Sequence, residues 1–346
     1  MTTAEQISAS PRRLGIAVAG VGRIGRMHAR IIAEQIPRAR LAGVYDISAD
    51  AAREVASELG VDAASSIDEL LAAPGVDALA ICTATNTHSE LIIKAAQAGK
   101  AVFCEKPVSL SLRAVDDAIA AVDAAGVPFM VGFNRRFDPG HAAVRNAVQS
   151  GELGDLTIAR VTSRDPSPPP IEYVRISGGI WVDMLIHDFD MANFIVGSPV
   201  VQIWAQGAAL FDEGIRGAGD FDTAVAVLTH ESGTITTIDA SRQAPYGYDQ
   251  RVEALGTKGM ALSDNRRDSN AQVFVEGGTR LAPLQHFFLE RYTDSFRLEW
   301  QAFTDYALNG GPSPVSGADG RAPIVMAMAA ALSAREGRPV RLDEIA

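Results

Sequence analysis

The sequence predicts an α/β chain in two parts, an N-terminal doubly wound parallel sheet and a C-terminal α+β region built on a mostly antiparallel sheet. Three observations carry this. From residue 14 to about residue 131, short apolar runs alternate with helical patterns, the form of strand and crossover helix repeated. Beyond Phe133, β-rich stretches follow one another across Gly, Pro or Asp turns with few helices between them, as antiparallel strands do. Finally, a glycine triplet stands directly between the first apolar run and the first helical pattern.

In the first part, strands are expected at 14–19, 41–45, 78–82, 101–103 and 129–131. The segments 27–34, 49–59, 89–98 and 112–125 are rich in Ala, Leu and Glu, lack internal proline and read as helices. In the second part, strands are expected at 156–163, 200–207, 223–230, 233–241, 250–256 and 271–275. Helices are expected at 180–196, 294–308 and 322–334, and Pro166–Pro170 reads as a stiff loop. The domains are accordingly 1–133, with 1–13 flexible, and 134–346, with the last helices packing back on the first domain.

A chain of 346 residues, 47% hydrophobic and 21% charged, has apolar material for more than one core. Its net charge of -11 argues against nucleic acid or an anionic membrane, because phosphate surfaces are bound by surplus Lys and Arg. Arg12-Arg13 before an apolar run superficially resembles an export signal, but Gly20, Gly22 and Arg23 interrupt the run and no small-residue cleavage site follows. No stretch reaches the roughly 20 apolar residues a bilayer requires. Cys82 and Cys104 sit in apolar runs as core residues, consistent with a reducing compartment. A cytoplasmic protein with a small-molecule partner is expected.

The triplet reads Gly20-Val21-Gly22-Arg23-Ile24-Gly25. Gly20 permits a tight turn, Gly22 lets backbone approach a pyrophosphate at the helix N-terminus, and Gly25 lets helix pack on strand. Asp46 ends the second strand about 20 residues beyond the motif, where a carboxylate bonds both ribose hydroxyls of an adenosine and repels a 2′-phosphate. NAD is therefore expected over NADP. The loop Thr83-Ala84-Thr85-Asn86-Thr87-His88 follows the third strand and lines the same crevice, with Thr83, Asn86 and His88 as cofactor-side candidates and His88 also a helix-start residue. Glu105-Lys106-Pro107 follows the fourth strand at the carboxyl end of the sheet, where open α/β folds bind ligands. A lysine there can polarise a hydroxyl, or be only a solvated charge.

On a single helix after Gly178-Gly179, Ile180, Asp183, Met184, His187, Met191 and Phe194 would share one face. Burying a carboxylate and an imidazole costs several kcal/mol unless they pair or serve a site, and i, i+4 spacing sets them one turn apart. A mutually satisfied core pair is the alternative. Two ligands on one helix without a third do not make a zinc site, so no metal is expected. The pair Arg135-Arg136 is either surface charge or a contact to cofactor and substrate.

With these residues in hand, the chain resembles the Gfo/Idh/MocA oxidoreductases from Leu14 nearly to its end. The resemblance rests on Ala19–Gly25, Glu105–Pro107, the run Gly132-Phe133-Asn134-Arg135-Arg136-Phe137-Asp138, Ser163–Pro166, Asp183 to His187 within Gly178–Phe194, and Tyr246–Val252. It implies a Rossmann domain holding NAD, with Gly20, Gly22, Arg23, Ile24, Gly25, Asp46, Thr83, Asn86, His88, Glu105, Lys106 and Arg135 on the cofactor side. It also implies Lys106, Asp183 and His187 as catalytic residues, with Tyr246 and Asn134 beside the substrate. Asn134 departs from the apolar residue, such as Met, expected next to a nicotinamide. The reaction implied is oxidation of a secondary hydroxyl on a cyclic polyol, with His187 as base and Asp183 orienting its imidazole or binding a neighbouring hydroxyl. An inositol is the favoured substrate, with another isomer or a pyranose sugar as alternative, and a non-catalytic NAD-binding regulator as a further one. The resemblance also implies that the C-terminal antiparallel sheet is open and carries the contacts of a homo-oligomer, a dimer or a homotetramer.

Overall fold

Strand β1 (Leu14–Ala19) is buried at every residue because it is central in a parallel sheet and covered on both faces, which is why its sequence is a continuous apolar run. A computed structural model describes residues 12–345; of the flexible start expected at 1–13, residues 1–11 lie outside the described residues. The order continues α1 (Arg23–Gln35), β2 (Ala39–Tyr45), α2 (Ala49–Leu59), α3 (Ile67–Ala72), β3 (Ala78–Ile81), α4 (His88–Gln97), β4 (Ala101–Glu105), α5 (Leu112–Ala125) and β5 (Phe129–Gly132). Each strand expected in this half is present, although Cys82 falls just past β3. Helix α1 starts at Arg23 rather than at residue 27, because the glycine motif itself forms its first turn.

The chain divides into two units. The first contains the segment ending at Glu105, then Asp117–Gly132 and Glu299–Ser316; the second contains Lys106–Asp116, Phe133–Leu298 and the segment from Gly317 onward. In the first unit the five strands are all parallel in the order β2-β1-β3-β4-β5. The chain leaves β1 for β2 on one side and returns to β3 on the other. That reversal puts the loops after β1 and β3 side by side at the carboxyl edge, the place where such sheets bind ligands.

The rest of the chain forms α6 (Pro139–Gln149), β6 (Leu156–Arg164), α7 (Ile171–Val174), α8 (Gly179–Asp183), α9 (Ile186–Val196), β7 (Val200–Ala208), α10 (Glu213–Gly217), β8 (Thr223–His230), β9 (Ile235–Ser241), β10 (Asp249–Gly256), β11 (Gly259–Ser263), β12 (Gln272–Val275), β13 (Gly278–Leu281), α11 (Phe288–Arg291), α12 (Thr293–Asn309), α13 (Gly317–Glu336) and β14 (Val340–Arg341). The second unit's sheet has seven strands in the order β11-β10-β6-β9-β8-β7-β14, with β6 and β9 parallel and every other pair antiparallel. One face packs on helices through Leu185, Phe189, Ile203, Leu228, Ile238 and Met326, all essentially inaccessible. Each such side chain contributes roughly 1.5–3 kcal/mol of burial. The opposite face leaves Ile158, Trp204, Val225, Val227, Ile235 and Leu255 partly exposed, the alternation a half-covered sheet produces.

Two expectations need correction. The helix expected over 180–196 is two helices, broken at Met184 and Leu185, where the Leu185 N–H reaches back to the Ile180 carbonyl and the Asp188 N–H to that of Leu185. The apolar periodicity runs unbroken through this step and so conceals it. The strand expected at 271–275 is real but pairs only with β13 in a separate two-stranded sheet, with every residue exposed.

Candidate active site

In the first unit each glycine of the motif is required differently. Gly20 has φ of +86°, and a Cβ there would stand 2.6 Å from the backbone of Cys82 and Thr83. A Cβ on Gly25 would stand 1.8 Å from the Gly20 carbonyl oxygen, so α1 packs on β1 only without one. At Gly22 a Cβ would meet nothing within 4 Å. Space is thus kept clear at the N-terminus of α1, whose N-cap has no side-chain partner and whose first turn has no acid, as a site for an anionic group requires. Arg23 and Ile24 open that helix, Arg23 exposed and Ile24 half-buried.

Asp46 follows β2 and is half-buried. Its Oδ2 accepts from the Val21 N–H at 2.8 Å and its Oδ1 from the Ser48 N–H at 2.8 Å, so the carboxylate fastens the glycine loop and lies at its rim. Across the switch point, the Thr83 and Thr87 hydroxyls pair at 2.7 Å, Asn86 is exposed, and buried His88 starts α4 while its Nε2 lies 3.0 Å from the Thr83 carbonyl. These groups fit a dinucleotide: clear space at an uncapped helix end, and a carboxylate beside it.

Beneath Glu105 lies a relay that sequence reading missed. The Trp300 Nε1–H donates to His28 Nδ1 at 2.8 Å, which leaves Nε2 to carry the imidazole proton and donate it to Glu105 Oε1 at 2.7 Å. The only sequence signal for it is polar residues inside apolar helix faces. Cys104 is buried and Cys82 half-buried, neither in a disulfide, and burial pushes both thiols up.

The second unit holds the residues expected to do chemistry. Lys106, joined to Pro107 by a cis peptide bond, donates from Nζ to the Asp183 carbonyl oxygen at 3.1 Å. Asp183 ends α8 and His187 lies in the first turn of α9. The break between these helices turns the carboxylate elsewhere: its Oδ1 accepts from the Tyr173 hydroxyl at 2.9 Å and its Oδ2 from Arg242 Nη1 at 3.1 Å. The expected role of Asp183 in orienting the imidazole is therefore not what the fold provides. His187 Nδ1 is buried without a hydrogen-bond partner among the described residues, which leaves Nε2 as the nitrogen open to a ligand, and Phe133 meets the ring edge-on at 5.9 Å. Burial first, then the charges of Lys106 and Arg135, push the imidazole well below its ordinary range, so it is neutral at physiological pH.

Arg135 is buried. Its Nη1 donates to Asp188 Oδ1 at 2.6 Å, with Ser163 Oγ at 3.5 Å, and Arg136 pairs with Asp190 and Asp319, so neither arginine is surface charge. Asn134 is buried too and donates to Ser295 Oγ at 3.1 Å. Tyr246 is half-exposed; its hydroxyl donates to Asp249 Oδ2 at 2.7 Å and accepts from Arg164 at 2.9 Å. Asp165 stands within electrostatic reach of Arg135 and Asp183. Burial raises it to about 6, against the pull of Arg135 and with a push from Asp183. Asp165, Tyr173 and Arg242 were not singled out from sequence; only the Ser163–Pro166 motif pointed near one of them. Among the described residues no three His, Cys, Asp or Glu side chains gather to hold a metal ion, and no helix is long and apolar enough to cross a membrane.

Residues 14–133 match the model of the Gfo/Idh/MocA oxidoreductase family with its NAD-binding Rossmann fold, and residues 141–262 match the C-terminal domain of that family. The chain is 46% identical to a myo-inositol 2-dehydrogenase of Thermotoga maritima over 95% of this chain and 99% of that one. It is 42% identical to an inositol 2-dehydrogenase of Rhizobium meliloti over 93% and 97% of the two chains. A scyllo-inositol dehydrogenase of Lactobacillus casei, solved with NAD(H) and scyllo-inositol, superposes with a TM-score of 0.90 at 29% identity, covering 96% of this chain and all of that one.

Proposed function

The chain belongs to the Gfo/Idh/MocA oxidoreductase family, and on that premise we propose that it oxidises a secondary hydroxyl of a cyclic polyol with NAD, most favourably myo-inositol to the 2-keto inosose. The names of its close relatives support the substrate class. The observation that carries the chemistry is inside the second unit: an ammonium, Lys106, held against the Asp183 backbone, and an imidazole, His187, that burial and two cations keep unprotonated.

Gly20, Gly22, Arg23, Ile24, Gly25 and Asp46 would hold NAD, with Thr83, Asn86, His88 and Glu105 lining its crevice. When bound, NAD supplies an acceptor for the hydride that leaves the carbinol carbon. This chain's residues manage the proton and the oxygen. His187 Nε2 takes the hydroxyl proton and passes it to solvent. One ammonium N–H of Lys106 is given to Asp183, and another holds the reacting oxygen and stabilises the alkoxide as it develops. Tyr246, fixed between Arg164 and Asp249, and Asn134 would border the ring.

The test is NADH absorbance with NAD or NADP and a panel of myo-, scyllo- and chiro-inositol, glucose, galactose and xylose. Turnover with an inositol and NAD is expected. Lys106→Ala and His187→Ala should each lower kcat by about 100- to 10,000-fold while NAD affinity changes less than about threefold. Near-normal turnover in either variant would remove that residue from the mechanism, and turnover with a sugar alone would reassign the substrate.

The same reading makes the protein a cytoplasmic homo-oligomer, a dimer or a homotetramer. The partly exposed apolar face of the seven-stranded sheet, with Trp204, Val225, Val227 and Leu255, is the surface that supports assembly. Sedimentation as a monomer at micromolar concentration would exclude it.

A further inference from the structure

Arg242 follows β9 and is almost wholly inaccessible. A guanidinium in such a place costs several kcal/mol unless it is paired, and here every direction of its planar fork is engaged. Nη1 donates to Asp183 Oδ2 at 3.1 Å, Nη2 to Asp220 Oδ2 at 3.0 Å and Nε to the Phe221 carbonyl at 3.2 Å. Its own backbone N–H is anchored on the Asp222 carbonyl at 2.8 Å. The two carboxylates grip the two ends of one short helix. Asp220 Oδ1 accepts from the Ile180 N–H at 2.9 Å in the first turn of α8, and Asp183 ends that helix. Gly179 is glycine in part because a Cβ there would stand 2.9 Å from Asp220 Oδ1.

We propose that Arg242 is a positioning residue for the reaction: it straps α8 to the strand edge, fixes the Asp183 carboxylate away from His187, and through the Asp183 carbonyl sets the ammonium of Lys106. This rests on the proposed dehydrogenase reading for its activity test, but not for its structural one. Arg242 is itself almost wholly inaccessible, so it is placed to act through Asp183 and not on a ligand directly. Its two hydrogen bonds to carboxylates from segments 59 and 22 residues away are what a lysine, with a single compact charge, cannot reproduce together.

Removing the guanidinium leaves Asp183 and Asp220 facing each other, with Tyr173 and Lys106 on Asp183 and the charges of Asp165 and Arg135 nearby. The pH profile then becomes informative. In Arg242→Gln the kcat/KM for the polyol should fall about 30- to 300-fold, mostly in kcat, with NAD affinity unchanged and the acid limb moved to higher pH. Arg242→Lys should recover part of the loss and part of the shift. A merely structural role would lower the amount of active enzyme without moving the limb. If Arg242→Gln does not fold, Arg242→Lys decides: a loss of tenfold or more at unchanged NAD affinity supports the proposal, and a loss under threefold overturns it. A wild-type protein silent on the whole substrate panel would sink the dehydrogenase reading instead. Crystal structures of the wild type and Arg242→Lys then decide alone, since an unmoved Asp183 and Lys106 would overturn the positioning role and a displaced pair would support it.

Discussion

Glu299, on α12 in the first unit, is fully buried, and neither of its carboxyl oxygens has a hydrogen-bond partner among the described residues. Burial, and after it the charge of Glu105, pushes its carboxyl well above the usual carboxylate range. The folded protein therefore keeps a proton that the unfolded chain, with an ordinary value of 4.5, gives up. Because the folded state binds more protons, the stability from this group is complete below 4.5 and is lost as pH rises toward the folded value. One proton of difference is about 1.4 kcal/mol per pH unit, the slope the wild type should show above 4.5 for as long as the folded Glu299 stays protonated. Glu299→Gln cannot titrate and should lose correspondingly less. Urea unfolding at the two pH values, followed by the fluorescence of neighbouring Trp300, measures the difference. The two proteins are expected to diverge as pH rises, with a slope of up to about 1.4 kcal/mol per pH unit. Parallel pH dependences would mean that Glu299 is ionised in the folded state, and the reasoning from burial would fail.

The glycine motif offers a paired test by thermal unfolding and NAD titration. Gly25→Ala places a methyl 1.8 Å from the Gly20 carbonyl and should destabilise by more than about 3 kcal/mol; a shift of under 1 kcal/mol would show that α1 can slide. The methyl of Gly22→Ala meets nothing within 4 Å among the described residues, so its melting temperature should hold while NAD affinity falls, and unchanged affinity would move the pyrophosphate elsewhere. Asp46→Ala removes a charge-assisted acceptor worth roughly 1.5–3 kcal/mol. It should weaken NAD by about 10- to 100-fold and narrow the preference over NADP, and an unaltered NAD to NADP ratio would refute its role at the ribose.

What was legible in the sequence were features whose cause is local. The β1 run is apolar throughout because both faces of that strand are buried, and Gly20, Gly22 and Gly25 differ in role by position alone. Asp46 could be placed because a strand end fixes it. What escaped has causes that are not local. The step at Met184 and Leu185 leaves the apolar period intact, so periodicity reads one helix where there are two. Arg242 lies 59 residues from Asp183 and 22 from Asp220; the pairing of β8 with β9 brings it to Asp220, and α8, held by Asp220 at Ile180, brings it Asp183. Helix α6 did announce itself, since Asp138 caps Gly140 and His141 and Pro139 opens the first turn, but no apolar stripe marked it strongly enough to be read.

The separation of Asp183 from His187 has a chemical consequence. A carboxylate bonded to the imidazole would favour its protonated form and oppose the start of a reaction that needs a free base. The fold does the reverse: Tyr173 and Arg242 take the carboxylate, while burial, Lys106 and Arg135 hold the imidazole neutral. A base made available in this way is weak, and it removes a hydroxyl proton at a useful rate only if the hydroxyl is made more acidic at the same moment. On the proposed reading that is the part of Lys106, whose ammonium both depresses His187 and stabilises the alkoxide His187 creates. The two residues then work as one device, and Asp183 belongs to it through the backbone carbonyl that holds the ammonium, with its carboxylate serving as the anchor that keeps that carbonyl in place.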